Sequence, residues 1–195
     1  MSLQEEYRPC VAVVIVGPSD RVLWCQRINH DWWQFPQGGI DQGESAREAI
    51  LRETQEEVGL GPEDIEIVFE TEDWFKYDVP KDKRPKYFRR NIYKGQKQKW
   101  FLAKLISDES KIDLRATIPI EFDQWLWSTY WYPLKTVVPF KREVYREALI
   151  QILPEYNKLI SKKWFRNIRL YQRPKLRIQE SQLRLFYFLC LEKNY

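Results

Sequence analysis

"GGIDQGESAREAILRETQEEVGL", Gly38 to Leu60, decides how this chain is read. Residues from about Ser45 to Val58 form a helix, ended by Gly59 at a position suited to a left-handed cap. On that helix Glu53, Glu56 and Glu57 fall within one turn. At roughly 100° per residue they project within an arc of about 100°. Like charges three and four residues apart repel by about 0.2–0.5 kcal/mol per pair. Leu51, Thr54 and Val58 cluster on another side, facing a core, and Arg52 lies between the acidic group and solvent, within reach of Glu44. A solvated acidic face is the usual explanation of such a run. Two features count against it: a glycine-rich entry loop that brings backbone carbonyls to the helix start, and carboxylates that converge with no lysine four residues on. Hard divalent cations such as Mg²⁺ take oxygen ligands of this kind and offset the repulsion. A polyphosphate bridging to the same ions completes the physical answer.

Outward from that helix, "CVAVVIV" (Cys10 to Val16) and "RVLWCQRI" (Arg21 to Ile28) predict strands separated by the turn Gly17-Pro18-Ser19-Asp20. "DWWQFPQGG" predicts a loop. "DIEIVFE" (Asp64 to Glu70), "QKWFLAKL" (Gln98 to Leu105) and "DQWLWST" (Asp123 to Thr129) predict further strands. The basic, proline-containing residues 78 to 97 predict a surface loop, and "REVYREALIQIL" (Arg142 to Leu153) a helix. Strands mixed with two or more helices, with no repeat or dividing linker, give an α/β sandwich around a mixed sheet.

The composition is that of a soluble globular chain of 195 residues, 44% hydrophobic and 31% charged. Its nine Trp, eleven Tyr and ten Phe suit a core and suit stacking on bases equally. Cys10, Cys25 and Cys190 are far apart and form no CxxC pair, which speaks against a disulfide framework or zinc site and fits the cytosol. The start, "MSLQEEYRPC", has no signal-peptide pattern, and no apolar run is long enough for a membrane helix, so a cytoplasmic location is expected. Charge is uneven: Lys158 to Tyr195 holds ten Lys or Arg against two Glu, while the chain as a whole carries +4. That division predicts a domain over residues 1–157 and a basic, aromatic extension over 158–195 that is not a separate domain. Within the extension "RLYQRPKLRIQ" is broken by Pro174, and "LRLFYFLCL" (Leu183 to Leu191) is too short to span a membrane. A basic tail attracts polyanions but is more often simply solvated.

Gly38, five residues, Glu44, seven residues and "RETQEEVGL" match the Nudix box, and the chain resembles the Nudix hydrolases. Thr54 departs from the box, standing where an aliphatic residue is usual and adding a hydroxyl to bury. "YRPCVAVVI", "WWQFPQGGIDQGES", "GQKQKWFLAKL", "EFDQWLW" and "YWYPLKTVVPFKREVYR" extend the resemblance to bacterial RNA 5′-pyrophosphohydrolases. Two of these pieces are shared with asymmetric dinucleoside tetraphosphate hydrolases. The likeness covers about residues 7 to 150. It implies a Nudix α/β/α sandwich with a mixed β-sheet. The implied activity is metal-dependent conversion of a 5′-triphosphate or 5′-diphosphate RNA end to a monophosphate, which marks the transcript for decay.

The same resemblance implies that Glu53, Glu56, Glu57 and the carbonyl of Gly38 bind Mg²⁺ or Mn²⁺. Glu121 would ligate a metal or accept a proton from the attacking water, so no histidine base is needed. His30, the single histidine, is expected at the surface or in packing. Glu44, Arg52 and Gly59 are structural members of the box. Arg8 and Arg27 are expected near the RNA 5′ end. Lys97 and Lys99 alternate with Gln96 and Gln98, so one pair alone faces the cleft, and the lysines are expected there. Phe140 would stack on a base, or pack in the core, and Lys141 would neutralise a phosphate. Lys81, Lys83, Arg84, Lys86, Arg89 and Arg90 follow an RNA backbone or merely solvate their loop. The substrate partner is 5′-phosphorylated RNA or, as the alternative, a dinucleoside polyphosphate; no membrane and no protein partner is implied. A third possibility, an idle RNA- or nucleotide-binding module, predicts a lost box glutamate, and none is lost. The basic segments favour RNA, because a longer polyanion gains from extended positive charge.

Overall fold

The computed structural model describes residues 6–86, 88 and 93–171, with the backbone alone for 162–171. The chain divides into two units, Met1–Asn157 and Lys158–Tyr195, and the packing and site described below belong to the first. In chain order the chain's strands and first helix are β1 (Glu6–Val16), β2 (Val22–Arg27), β3 (Trp33–Gln34), β4 (Gln37–Gly39) and α1 (Ala46–Val58). Then come β5 (Ile65–Glu70), β6 (Phe75–Asp78), β7 (Tyr93–Leu105), β8 (Phe122–Ser128), the short α2 (Pro133–Thr136) and α3 (Arg142–Tyr171).

Strand β1 is the spine. Every residue from Cys10 to Val16 is buried, so both of its faces need cover. It runs parallel to β7, in register from Tyr7↔Gly95 to Val16↔Lys104, and antiparallel to β4 and β2. Strands β3 and β8 extend the sheet from β2, and β5 and β6 extend it from β7. On one face, alternate residues Val11, Val13, Ile15, Phe101 and Ala103 meet Ala49, Ile50 and Val58 of α1. On the other, Tyr145 of α3 stacks on Phe35 at 5.6 Å and meets Trp24 and Trp100 edge-on. Aromatic pairs of this kind contribute about 0.5–1.5 kcal/mol each beyond area burial. The result is the expected α/β/α sandwich on a mixed sheet.

Local chemistry fixes α1, the element that carries the acidic cluster. Ser45 Oγ accepts the Glu48 N–H at 3.2 Å while Glu48 Oε2 accepts the Ser45 N–H at 2.9 Å, a complete capping box. Gly59 closes the helix at φ 72°, and a side chain there would also strike the backbone of Asp113. Thr54 is fully buried, and its hydroxyl donates to the Ile50 carbonyl at 2.6 Å. The departure from the box therefore leaves no polar atom unpaired.

Three expectations change. The stretch Asp31 to Gly39, foreseen as a loop, carries β3 and β4, because Trp33–Gln34 pairs with β2 and Gln37–Gly39 with β1 on either side of Pro36. The loop foreseen over 78–97 ends early, since Tyr93–Lys97 is strand. Its polar composition is overridden by pairing on both sides, with β1 and with β6. The helix foreseen over Arg142–Leu153 runs on to Tyr171 through Pro154. A mid-helix proline strips one backbone hydrogen bond, and here the carbonyl left without a donor belongs to the exposed Ile150. Cys10 and Cys25 are buried free thiols, while Cys190, Arg89, Arg90, most of "RLYQRPKLRIQ" and the run Leu183 to Leu191 lie outside the described residues. Among the described residues no helix is long and apolar enough to cross a membrane.

Candidate active site

Where the C-terminal half of α1 passes β4, the helix–strand crossing leaves almost no room. Gly38 pairs with Val11 of β1, and a Cβ on it would collide with the carboxylate of Glu53. A Cβ on Gly39 would strike the guanidinium of Arg8 on the opposite face. A side chain at either glycine would push the Glu53 carboxylate or the Arg8 guanidinium out of place, so the two glycines let an acid and a base close in on one thin strand. A cavity of about 410 Å³ opens here. Its wall includes Glu53, Glu57, Gly38 and Glu121 together with Arg8, Arg27, Phe140 and Lys141.

The three clustered glutamates have different environments. Glu57 is buried, and its Oε2 accepts the Gln37 backbone N–H at 2.8 Å. Gln37 is held in turn by the Tyr145 hydroxyl, which donates to its Oε1 at 3.0 Å. A hydrogen-bonded line thus runs from α3 through β4 to the carboxylate on α1. Burial first, then the charges of Glu121 and Glu53, push the Glu57 carboxyl well above the usual range. Burial also raises Glu53. Glu56 is exposed and is not part of the cavity wall.

Arg52 answers much of the crowding. It grips Glu44 through Nε and Nη2, both at 2.9 Å, as expected. Its Nη1 also reaches Glu53 at 2.8 Å and Glu56 at 3.2 Å, and its Nη2 donates to the Gly39 carbonyl at 2.9 Å. These bonds hold Glu44 below the usual carboxylate range. No lysine follows the cluster four residues on, as read from the sequence, but Arg52, expected to pair with Glu44, also compensates two of the three carboxylates. Glu57 has no ion pair among the described residues.

The basic side of the cavity is equally ordered. Arg27 Nη1 pairs with Glu121 Oε2 at 2.7 Å, and the Glu121 carbonyl accepts the Ile28 N–H at 2.9 Å, so β2 and the start of β8 are pinned together. Lys141 is buried, donates to Gln34 Oε1 at 3.0 Å, and lies over the Tyr77 ring. Burial, then the neighbouring Arg27 charge, lowers its ammonium to about 8. Phe140 is half-buried and belongs to the cavity wall rather than the core, tilted against Tyr77 at 6.1 Å. His30 is exposed, at the rim, against Trp32.

The expected face of β7 is reversed. Gln96 belongs to the cavity wall, whereas Lys97 and Lys99 lie over the Trp74 ring and outside it. Lys99 Nζ also donates to the Glu72 carbonyl at 2.8 Å. Alternation halves the choices, but the pairing of Cys10 with Gln98 and Val11 with Lys99 sends the lysines to the α1 side. Gln98, on the cavity side, is fully buried with neither amide atom paired among the described residues. In the basic loop, Lys83 borders the cavity and Arg84 is engaged by the Val79 carbonyl, while Lys81 and Lys86 are exposed and not part of the wall. Gln34, Gln37 and Tyr77 are site residues that sequence reasoning passed over. The signal for the first two was two polar side chains flanking the buried Phe35 in "WQFPQGG".

The donor set is all oxygen, which suits a hard divalent cation. Burial and the charges of Glu121 and Glu53 in the same cavity raise the Glu57 carboxyl, an electrostatic cost that a bound cation relieves. Among the described residues no three acidic, His or Cys side chains already stand as a metal cage. Arg52 meanwhile engages Glu53 and Glu56.

The family model of the NUDIX domain matches residues 6–155, and the chain belongs to the Nudix family. Nudix hydrolases generally use divalent cations. The chain is 48% identical over 160 residues to an RNA pyrophosphohydrolase of Teredinibacter turnerae, covering 80% of this chain and 90% of that protein. It is 52% identical over 147 residues to an RNA pyrophosphohydrolase of Francisella tularensis, covering 73% and 91%. Among solved structures it is similar to the E. coli dihydroneopterin triphosphate pyrophosphohydrolase, with a TM-score of 0.56 and 21% identity over 74% of this chain and 97% of that one. It is also similar to a C. elegans Ap4A hydrolase, with a TM-score of 0.53 and 21% identity over 71% and 93%. At that identity the structural likeness speaks for the fold alone.

Proposed function

We propose that this chain removes pyrophosphate from the 5′ end of triphosphorylated RNA, leaving the 5′-monophosphate that marks a transcript for decay. One observation carries the reading: a single cavity brings Arg8, Arg27, Lys141 and an aromatic ring together with Glu53, Glu57 and Glu121. The relatives of about half identity, covered almost end to end, support the same substrate.

Glu53, Glu57, Glu121 and the Gly38 carbonyl would hold Mg²⁺ or Mn²⁺, joined by Glu56 once it leaves Arg52. When bound, the ions lower the pKa of the attacking water and neutralise charge on the departing phosphate. Arg8, Arg27 and Lys141 grip the phosphate chain, and Phe140 stacks on a base. Water oxygen bonds to the α-phosphorus as the bridging oxygen leaves with pyrophosphate, and Glu121 takes the water's proton. Glu121 is free to do so once Arg27 turns from it to the phosphate. Residues 1–157 form the hydrolase domain and 158–195 a basic extension that adds attraction for RNA.

Triphosphorylated RNA labelled in its terminal phosphate tests this with Mg²⁺ present. The expected products are pyrophosphate and 5′-monophosphorylated RNA in equal amounts. Release of orthophosphate alone would replace the reading by stepwise removal, and no release would overturn it.

A further inference from the structure

We propose that Trp32 is the second wall of the base slot whose first wall is Phe140, and that Lys83 holds the place of the base until RNA arrives. This rests on the RNA reading above. Lys83 Nζ lies 5.5 Å from the centre of the Trp32 ring and 5.8 Å from that of Phe140. One ammonium over two rings means that both rings turn toward a shared space, and all three side chains border the same cavity.

Trp32 is built as a fixed platform. The Arg27 N–H donates to the Trp32 carbonyl at 3.1 Å, and the His30 N–H donates to the Arg27 carbonyl at 3.1 Å. Asn29 supplies the left-handed residue of this turn at φ 60°, a conformation that Asn tolerates. His30 braces the indole from outside, with ring centres 4.4 Å apart. Because Arg27 pairs with Glu121, the indole is tied by a few bonds to the proposed catalytic carboxylate. Phe140 is placed by its neighbour Lys141 on the far wall. Lys83, by contrast, is exposed on a three-residue turn, with no salt bridge or side-chain hydrogen bond to hold it among the described residues. A base stacks on an aromatic ring through its face, whereas the ammonium meets each ring at a point. Exchange of the two therefore favours the base and leaves Lys83 to meet a phosphodiester.

The test places 2-aminopurine at each of the first three positions of a 5′-monophosphorylated RNA, which binds without being hydrolysed. Fluorescence is expected to be quenched at one position with the natural protein, to recover in W32A, and to remain quenched in W32F. W32A is also expected to raise KM for a triphosphorylated tetranucleotide about tenfold, with kcat little changed. Inhibition by inorganic tripolyphosphate, which carries no base, is expected to respond much less. Quenching that survives W32A overturns the slot. So does a loss as large in W32F as in W32A, or one equally large for tripolyphosphate, since those mark a packing role. Quenching at one position without any hydrolysis of triphosphorylated RNA overturns the proposed activity and leaves the slot standing.

Discussion

Arg27 and Glu121 meet at 2.7 Å, so that the arginine proposed for the RNA end and the carboxylate proposed for the water neutralise each other before substrate arrives. Both side chains are about a third exposed, a setting in which such a pair adds little stability. Its consequence is in binding: a phosphate that draws Arg27 away uncovers Glu121. The expected outcome of E121Q is a fall of more than about tenfold in kcat with a smaller change in KM, as for a group acting in the transition state. A change confined to KM would show that Glu121 serves only to position Arg27.

Glu57 offers a separable test of the metal site. E57Q keeps an acceptor for the Gln37 N–H but removes the buried charge. Hydrolysis is expected to fall by more than about a hundredfold, beyond what residues merely supporting a metal ligand cost, with the fold intact. Near-normal turnover would contradict the assignment.

The same substitution has a signed effect on stability. The Glu57 carboxyl has its folded pKa raised above the ordinary 4.5. Between those two values the folded chain binds more protons than the unfolded one, so stability falls as pH rises through that window. Metal-free protein is therefore expected to lose melting temperature from about pH 4.5 upward relative to E57Q, and added divalent cation is expected to shrink the difference at neutral pH. Parallel profiles for the two proteins would contradict it.

Lys141, lowered to about 8 by burial and by Arg27, is largely neutral at pH 9. A bound polyphosphate favours the charged form. Binding at pH 8.5–9 is expected to take up a proton, seen by calorimetry in buffers of different ionisation enthalpy, and K141M is expected to abolish that uptake. Uptake unchanged in K141M would place the proton elsewhere.

Much of this site was legible because its chemistry is concentrated in one short helix and the loop before it. The spacing of Glu53, Glu56 and Glu57, the Gly59 cap and the Glu44–Arg52 pair are all local, and they were readable from residue order. What was not legible is decided by partners distant in the chain. Which face of β7 carries Lys97 depends on its pairing with Pro9 of β1 and Lys76 of β6, and on which layer lies above each face. Tyr93–Lys97 looks like a loop until β1 is set beside it. The role of Gln37 depends on Tyr145, more than a hundred residues on.

Gln98 remains as a place where the fold spends stability. Both amide atoms are buried with no partner among the described residues, so Q98M, of similar size, is expected to raise stability by about 1 kcal/mol. A lower melting temperature in Q98M would show that the amide has a partner in solution.

The central claim is that the cavity serves an RNA end rather than a small dinucleotide. Its most direct test compares kcat/KM, with Mg²⁺, on a short triphosphorylated RNA and on diadenosine tetraphosphate. An advantage of at least about tenfold for the RNA, 1.4 kcal/mol in transition-state binding, is the predicted result. An equal advantage for the dinucleotide would make this a nucleotide-clearing hydrolase and contradict the account.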